Sequence, residues 1–295
     1  MRRTAVAFLV ATLVASGSAI ADEPFWNQRP LGYWLNQLRV GDASARTQAA
    51  HGVMEMAAAH GSASVAAAVP LLVPCLDAPD APLREAAADA LGPIGAVADP
   101  AGPRLLVLFE RDPEAAVRRA AGLAAGQIRP GASELVSAAG RVLAADADAG
   151  VRQTAAALLI EAGTAARSVS AAARSSLTDG DATVRVYAAA IVGRLGDAAT
   201  AVPVLLDGLA GPEGAVRAES AGLLAETAPA DARVLPALIA SLRDEDRRVR
   251  LAAADALGTI GRPAISAAEP LWHMIHDPDE NVRDHALKAI RLIKE

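Results

Sequence analysis

Cysteine is almost missing from this chain. Cys75 is the only one in 295 residues, so no intramolecular disulfide can form and packing alone must supply stability. Set between Pro74 and Leu76, it reads as a small buried hydrophobe. Aromatic residues make up 3% of the chain, too few to cradle a large π-system. Long basic runs are missing too. The densest basic segment, Arg243 to Arg250, is neutralised by Asp244, Glu245 and Asp246. Without a basic face, nucleic acid and anionic lipid are excluded as the main partner. No segment alternates as a strand does, and no apolar run is long enough for a stable membrane anchor.

The apolar run that does occur, Ala5 to Ala15, follows Arg2-Arg3 and leads to Ala19-Ile20-Ala21. Basic start, apolar centre and A-x-A site, in that order, predict a signal peptide over 1–21 with Asp22 as the mature N-terminus. No cysteine near the cleavage site offers a lipid anchor, and no convincing twin-arginine motif follows, so Sec export to the periplasm or beyond is expected. Cleavage would remove two arginines and no acid, leaving 26 basic and 34 acidic residues and a net charge of −8.

What the chain has is a repeat. Leu83-Arg84, Val117-Arg118, Val151-Arg152, Val184-Arg185, Val216-Arg217, Val249-Arg250 and Val282-Arg283 place their arginines 34, 34, 33, 32, 33 and 33 residues apart. A period of that length signals a stack of identical supersecondary units. In the unit around Val249, residues 231–242 carry Val234, Leu235, Leu238, Ile239 and Leu242 at helical spacing, with Pro236 in the early turns. A polar turn, Asp244-Glu245-Asp246, leads to a second helix over about 247–260, closed by Gly258 and Gly261.

An acid stands three residues before each Val or Leu: Asp80, Glu114, Asp148, Asp181, Glu213, Asp246 and Asp279. That is the N-cap or first turn of the second helix, where a carboxylate meets free backbone N–H groups and the positive dipole end. A further aspartate, five before the Val, occurs as Asp112, Asp146, Asp179, Asp244 and Asp277. The position four after the Val is always small (Ala87, Ala121, Ala155, Ala188, Ser220, Ala253, Ala286), so the alanine abundance reads as close helix packing. A degenerate first unit, 31–60, holds Arg46 in the place of the repeated arginine. The expected organisation is therefore an aromatic segment over 22–30, then one all-α domain over 31–295. That domain is an α-solenoid of about eight antiparallel hairpins, with a cap at 31–60 and seven repeats over 62–294.

The string from Val249-Arg250 through Leu257-Gly258 to Ile260-Gly261, preceded by Asp244 and Asp246, resembles a HEAT-like repeat of the phycobilisome-lyase type. The resemblance runs through essentially the whole mature chain. It implies a right-handed superhelix whose second helices line the concave side. It does not imply one activity, because repeat folds host many.

The seven arginines with the acids three before each Val are read as a structural ladder between repeats, since a site would occur once and these recur in every unit. Deoxyhypusine hydroxylases of related repeat type hold iron with His-Glu pairs, and no such pair occurs here. His273 and His276, one turn apart and near Asp277, Asp279 and His285, are the weak metal candidates. Bilin lyases need a tetrapyrrole substrate that export places out of reach, and HEAT-like DNA glycosylases need a basic face. Phe25 and Trp26 are the partner-contact candidates, while Tyr33 and Trp34 read as a cap over the first hairpin. The second-helix surface offers Glu85, Asp89, Arg119, Gln153, Asp255, Asp284 and Lys288, with no nucleophile–base pair among them. The sequence thus predicts an exported, non-enzymatic scaffold that needs no cofactor and docks a protein partner on an extended face. The alternatives are a metal-binding or hydroxylase- or lyase-like accessory protein, as the resemblance to HEAT-repeat enzyme families implies, and a self-associating structural envelope element.

Overall fold

A computed structural model describes residues 23–295. The protein is an all-α solenoid of helical hairpins, divided at Arg129/Pro130 into two compact units. The sequence reads as one uninterrupted array. The division falls where Arg129-Pro130-Gly131 links two helices, with Arg129 non-helical and Gly131 at φ 70°. The expected signal peptide, 1–21, lies outside the described residues.

The first unit opens with two short strands, β1 (Phe25–Trp26) and β2 (Arg29–Pro30), paired antiparallel as Phe25↔Pro30 and Trp26↔Arg29. The sequence reading had no strand. Asn27 and Gln28 form the connecting turn at φ 47° and 61°, a left-handed pair that hides behind a sequence lacking the usual Asn-Gly. Then come α1 (Leu31–Val40), α2 (Ala43–His60), the short α3 (Val69–Leu72), α4 (Ala81–Ile94), α5 (Gly102–Arg111) and α6 (Ala115–Ile128). The second unit holds α7 (Ser133–Ala145), α8 (Ala149–Ala162), α9 (Ser170–Ser175), α10 (Ala182–Arg194), α11 (Ala198–Leu209), α12 (Gly214–Thr227), α13 (Val234–Ser241), α14 (Arg247–Ile260), α15 (Ala268–His273) and α16 (Glu280–Lys294).

Second helices are long and regular; several first helices are not. Around α3 the chain turns in 3-10 geometry at Ser62–Ala68 and Val73–Asp77, where Pro70 and Pro74 each remove a helical N–H. The second helices pack side by side, α2 on α4 on α6 in one unit and α8 through α10, α12 and α14 to α16 in the other. Small residues permit that approach. A Cβ on Gly122 would come within 2.7 Å of the ring of Phe109, which is fully buried between α5 and α6. In the second unit one continuous apolar core runs from Val186 to Ile293.

Candidate functional site

All seven repeated acids occupy the N-cap position of a second helix. Asp148, Asp181, Asp246 and Asp279 accept a backbone N–H from the first turn. Glu114 and Glu213 make no such bond, because the extra methylene carries the carboxylate past the donors; Asp80 makes none either.

The ladder runs through the other aspartate. Arg84 donates from Nε and Nη2 to both carboxylate oxygens of Asp112, at 2.7 and 2.8 Å. Arg152 grips Asp179 at 2.9 and 2.8 Å, Arg217 grips Asp244 at 2.8 Å twice, and Arg250 grips Asp277 at 2.7 and 3.0 Å. The sequence reading assigned this part to the residues three before the Val. The residue five before it stands at the C-terminal end of the preceding helix, and from there its side chain reaches the arginine of the previous repeat.

Each ladder aspartate is a two-way node. Its carbonyl oxygen accepts Nη1 of its own repeat's arginine: Arg118 on Asp112, Arg185 on Asp179, Arg250 on Asp244 and Arg283 on Asp277, at 2.7 to 2.9 Å. Its Oδ1 also receives the N–H of the cap residue, as Glu114 gives to Asp112 and Asp181 to Asp179. One side chain therefore ties two repeats and shapes its own turn. Asp112 and Asp277 are buried, and burial pushes their pKa upward; the paired guanidinium and the backbone donor outweigh it, so the net shift is down.

The arginine of the first hairpin departs from the pattern. Arg46 hangs from cap Asp42 as the others hang from theirs, but Ala78 stands in the ladder position. Arg46 Nη2 instead lies 3.3 Å from the Cys75 sulfur, and its buried Nε has no partner among the described residues. Cys75 is fully buried, and burial raises its thiol pKa against the pull of Arg46, which makes it a packing residue.

The second-helix face carries dispersed polar groups. Between α2 and α4 an open groove of about 660 Å³ is lined by Ser44, Thr47, Gln48, His51, Asp80 and Pro82. Nearby, Asp89 is half-buried; desolvation and Glu85 raise its pKa against His51 and Arg119. Between α10 and α12 a smaller groove of about 120 Å³ holds Tyr187 and Glu219, and burial raises the pKa of both. On α14 and α16, Asp255 Oδ1 meets His285 Nδ1 at 2.6 Å.

His273 and His276 are exposed at the end of α15 and just beyond it. The neighbours that made them candidates are engaged elsewhere: Asp277 with Arg250, Asp279 with Arg247 and the α16 cap, His285 with Asp255. Among the described residues no group of three or more His, Cys, Asp or Glu is placed to hold a metal ion. Trp26, a partner-contact candidate, is half-buried with its ring on Gly52 of α2 and 4.8 Å from the ring of Trp34. Trp34 is buried and donates Nε1–H to the Trp26 carbonyl. Phe25 points outward at 51% exposure, so one of the two candidate aromatics is free for contact. The sequence could not separate them, because the hairpin that turns them to opposite sides was not legible.

Residues 202–291 match the family model for HEAT repeats, which supports a HEAT-like repeat architecture. No curated protein matches the chain. Among solved structures, Escherichia coli YibA is 16% identical at a TM-score of 0.48, covering 90% of this chain and 99% of its own. Human deoxyhypusine hydroxylase in complex with glycerol is 21% identical at 0.37, covering 90% and 96%. An engineered protein is 18% identical at 0.39, covering 90% and 99%. These likenesses assign no activity to this chain. Among the described residues no helix is long and apolar enough to cross a membrane.

Proposed function

We propose that this protein is an exported, non-enzymatic adaptor that docks a protein partner along its second-helix face in the periplasm, with repeats of the phycobilisome-lyase subtype. The observation that carries this reading is the division of labour among polar side chains. Most of those that recur with the repeat are engaged in caps or in the arginine–aspartate ladder. Those that vary from repeat to repeat, such as Gln48, His51, Glu85, Arg119 and Glu219, lie on second helices, and Gln48, His51 and Glu219 line open grooves. Within each unit, a face whose side chains change from one repeat to the next suits recognition of a protein surface. The acidic balance of the chain turns such a face away from nucleic acid and anionic lipid. Export rests on the 1–21 pattern, and N-terminal sequencing of the periplasmic protein should begin at Asp22.

The test is a photocrosslinker placed in turn at Gln48, Glu85, Arg119 and Tyr187 of the full chain expressed in a Gram-negative cell, followed by mass spectrometry. One client recovered from several positions supports the adaptor. Crosslinks only between copies of this chain would replace the adaptor with a self-associating element.

A further inference from the structure

The ladder has an open rung at the junction between α10 and α12. In the 130–295 unit, Arg152, Arg217 and Arg250 each hold an aspartate of the following repeat, at Asp179, Asp244 and Asp277. Arg185 has no such partner, because Gly211 stands where that aspartate would be. The backbone there is otherwise conserved in role. The Gly211 carbonyl accepts Arg217 Nη1 at 3.1 Å, as the Asp244 carbonyl accepts Arg250 Nη1.

Arg185 itself is held as its equivalents are. Its Nη1 donates to the carbonyls of Asp179 and Gly180 at 2.7 and 3.2 Å; Arg152 Nη1 does the same to Asp146 and Ala147 at 2.9 and 3.1 Å. The anchored edge fixes the guanidinium plane, leaving Nε and Nη2 as a preset fork with no acceptor among the described residues. The nearest acid by position, the exposed cap Glu213, makes no bond with it. Arg185 is partly buried, not enclosed, so the fork keeps a path to solvent. A second observation falls at the same junction: α10 and α12 pack less extensively than α12 and α14, and the groove beside Tyr187 opens between them.

We propose that Arg185 is a carboxylate-binding site, completed by an aspartate or glutamate side chain of the docked protein. The other rungs define the ligand chemistry. A planar carboxylate meets Nε and Nη2 in two parallel hydrogen bonds, and the fork is ordered before the ligand arrives, which lowers the entropic cost of binding. The source of the carboxylate rests on the adaptor reading; the binding chemistry does not.

The experiment records arginine Nε–H resonances of the full chain while N-acetyl-aspartate amide, acetate, inorganic phosphate or chloride is added at constant ionic strength. The Arg185 resonance should move saturably with the two carboxylates toward the positions of Arg152 and Arg217, which stay still. Gly211→Asp should place the Arg185 resonance there without ligand and abolish the titration. A Cβ at 211 comes 3.1 Å from the Gly208 carbonyl oxygen, a contact that a shift of a few tenths of an ångström relieves. Should that variant not fold, Arg185→Gln is the second arm and should weaken carboxylate binding at least about tenfold. An Arg185 resonance that ignores carboxylates, or answers phosphate alone, overturns the proposal. The adaptor reading fails separately, through loss of the crosslinked client.

Discussion

Arg84 and Asp112, in consecutive repeats, are joined by two hydrogen bonds of 2.7 and 2.8 Å in a position where the aspartate side chain is 3% exposed. Two residues further on, Glu114 caps the next helix by position only and forms no side-chain cap bond. Both acids recur with the repeat, and only one carries the junction. Asp112→Asn should therefore cost about 2–4 kcal/mol, because it leaves a buried guanidinium without its counter-charge. Glu114→Gln should cost under about 0.5 kcal/mol. Urea unfolding of the two variants compares them directly; equal losses would show that the cap acids share the junction.

Acid should dismantle the ladder. Asp112, Asp179 and Asp277 are pushed up by burial but end below the ordinary aspartate value through their arginines and a backbone N–H, while for Asp244 the Arg217 bonds are the largest influence. A carboxylate depressed in the fold stabilises it fully above its unfolded pKa of about 3.9, and that stabilisation drains away as pH falls further. Glu219 and Asp89 act with the opposite sign. Burial raises them, so their ionisation costs stability that protonation restores on moderate acidification. Tm should hold or rise slightly from neutrality to about pH 5 and fall steeply below about pH 4. Asp112→Asn should blunt the acid limb. A midpoint that declines steadily from neutrality would contradict this.

Ser220 is the exception in a row of alanines four residues after the Val. It is fully buried, and its hydroxyl has no hydrogen-bond partner among the described residues. Ser220→Ala should stabilise the protein by about 1 kcal/mol, since it removes an unsatisfied polar atom without opening a cavity. Calorimetry showing a lower Tm would mean that the hydroxyl has a partner, such as a buried water.

Ala78 has φ −63° and ψ 145°, close to Asp112 at −61° and 138° and Asp277 at −57° and 142°. Ala78→Asp should therefore fit the backbone and give Arg46 Nε the acceptor it lacks, raising Tm in a scan against the parent. An unchanged or lower Tm would show that Cys75 already fills the space of the missing rung.

The two aromatics ahead of α1 should separate by assay. Trp26→Ala strips a ring packed on Gly52 and Trp34 and should cost about 2–4 kcal/mol. Phe25→Ala removes an exposed ring and should leave unfolding within about 0.5 kcal/mol while weakening capture of a client that touches this end.

The period of the Val-Arg pairs made the hairpins legible, because a helix buried on one side must repeat its apolar face in every unit. The cap acids were legible for the same reason: position along a helix follows from chain spacing. The ladder partner was not. The acid of the Glu114 position recurs in all seven units and the aspartate of the Asp112 position in five, so recurrence favours the wrong one; what decides is place, since Asp112 ends α5 facing Arg84 while Glu114 opens α6. The hairpin at Phe25–Pro30 is not legible in the sequence, because two-residue strands carry no alternation to read. The open rung at Arg185 was visible as a missing aspartate at Gly211, yet it gained meaning only once Asp179 and Asp244 were seen to be the acceptors.

The most direct test of the architecture is a double-mutant cycle on Arg250 and Asp277, comparing Arg250→Gln, Asp277→Asn and the double variant by urea unfolding. A coupling energy of about 1.5 kcal/mol or more is expected, since each single change leaves a desolvated group unpaired that the double change removes. A coupling near zero, with the two losses simply adding, would contradict the ladder as the bond between repeats and return these residues to the pool of possible site chemistry.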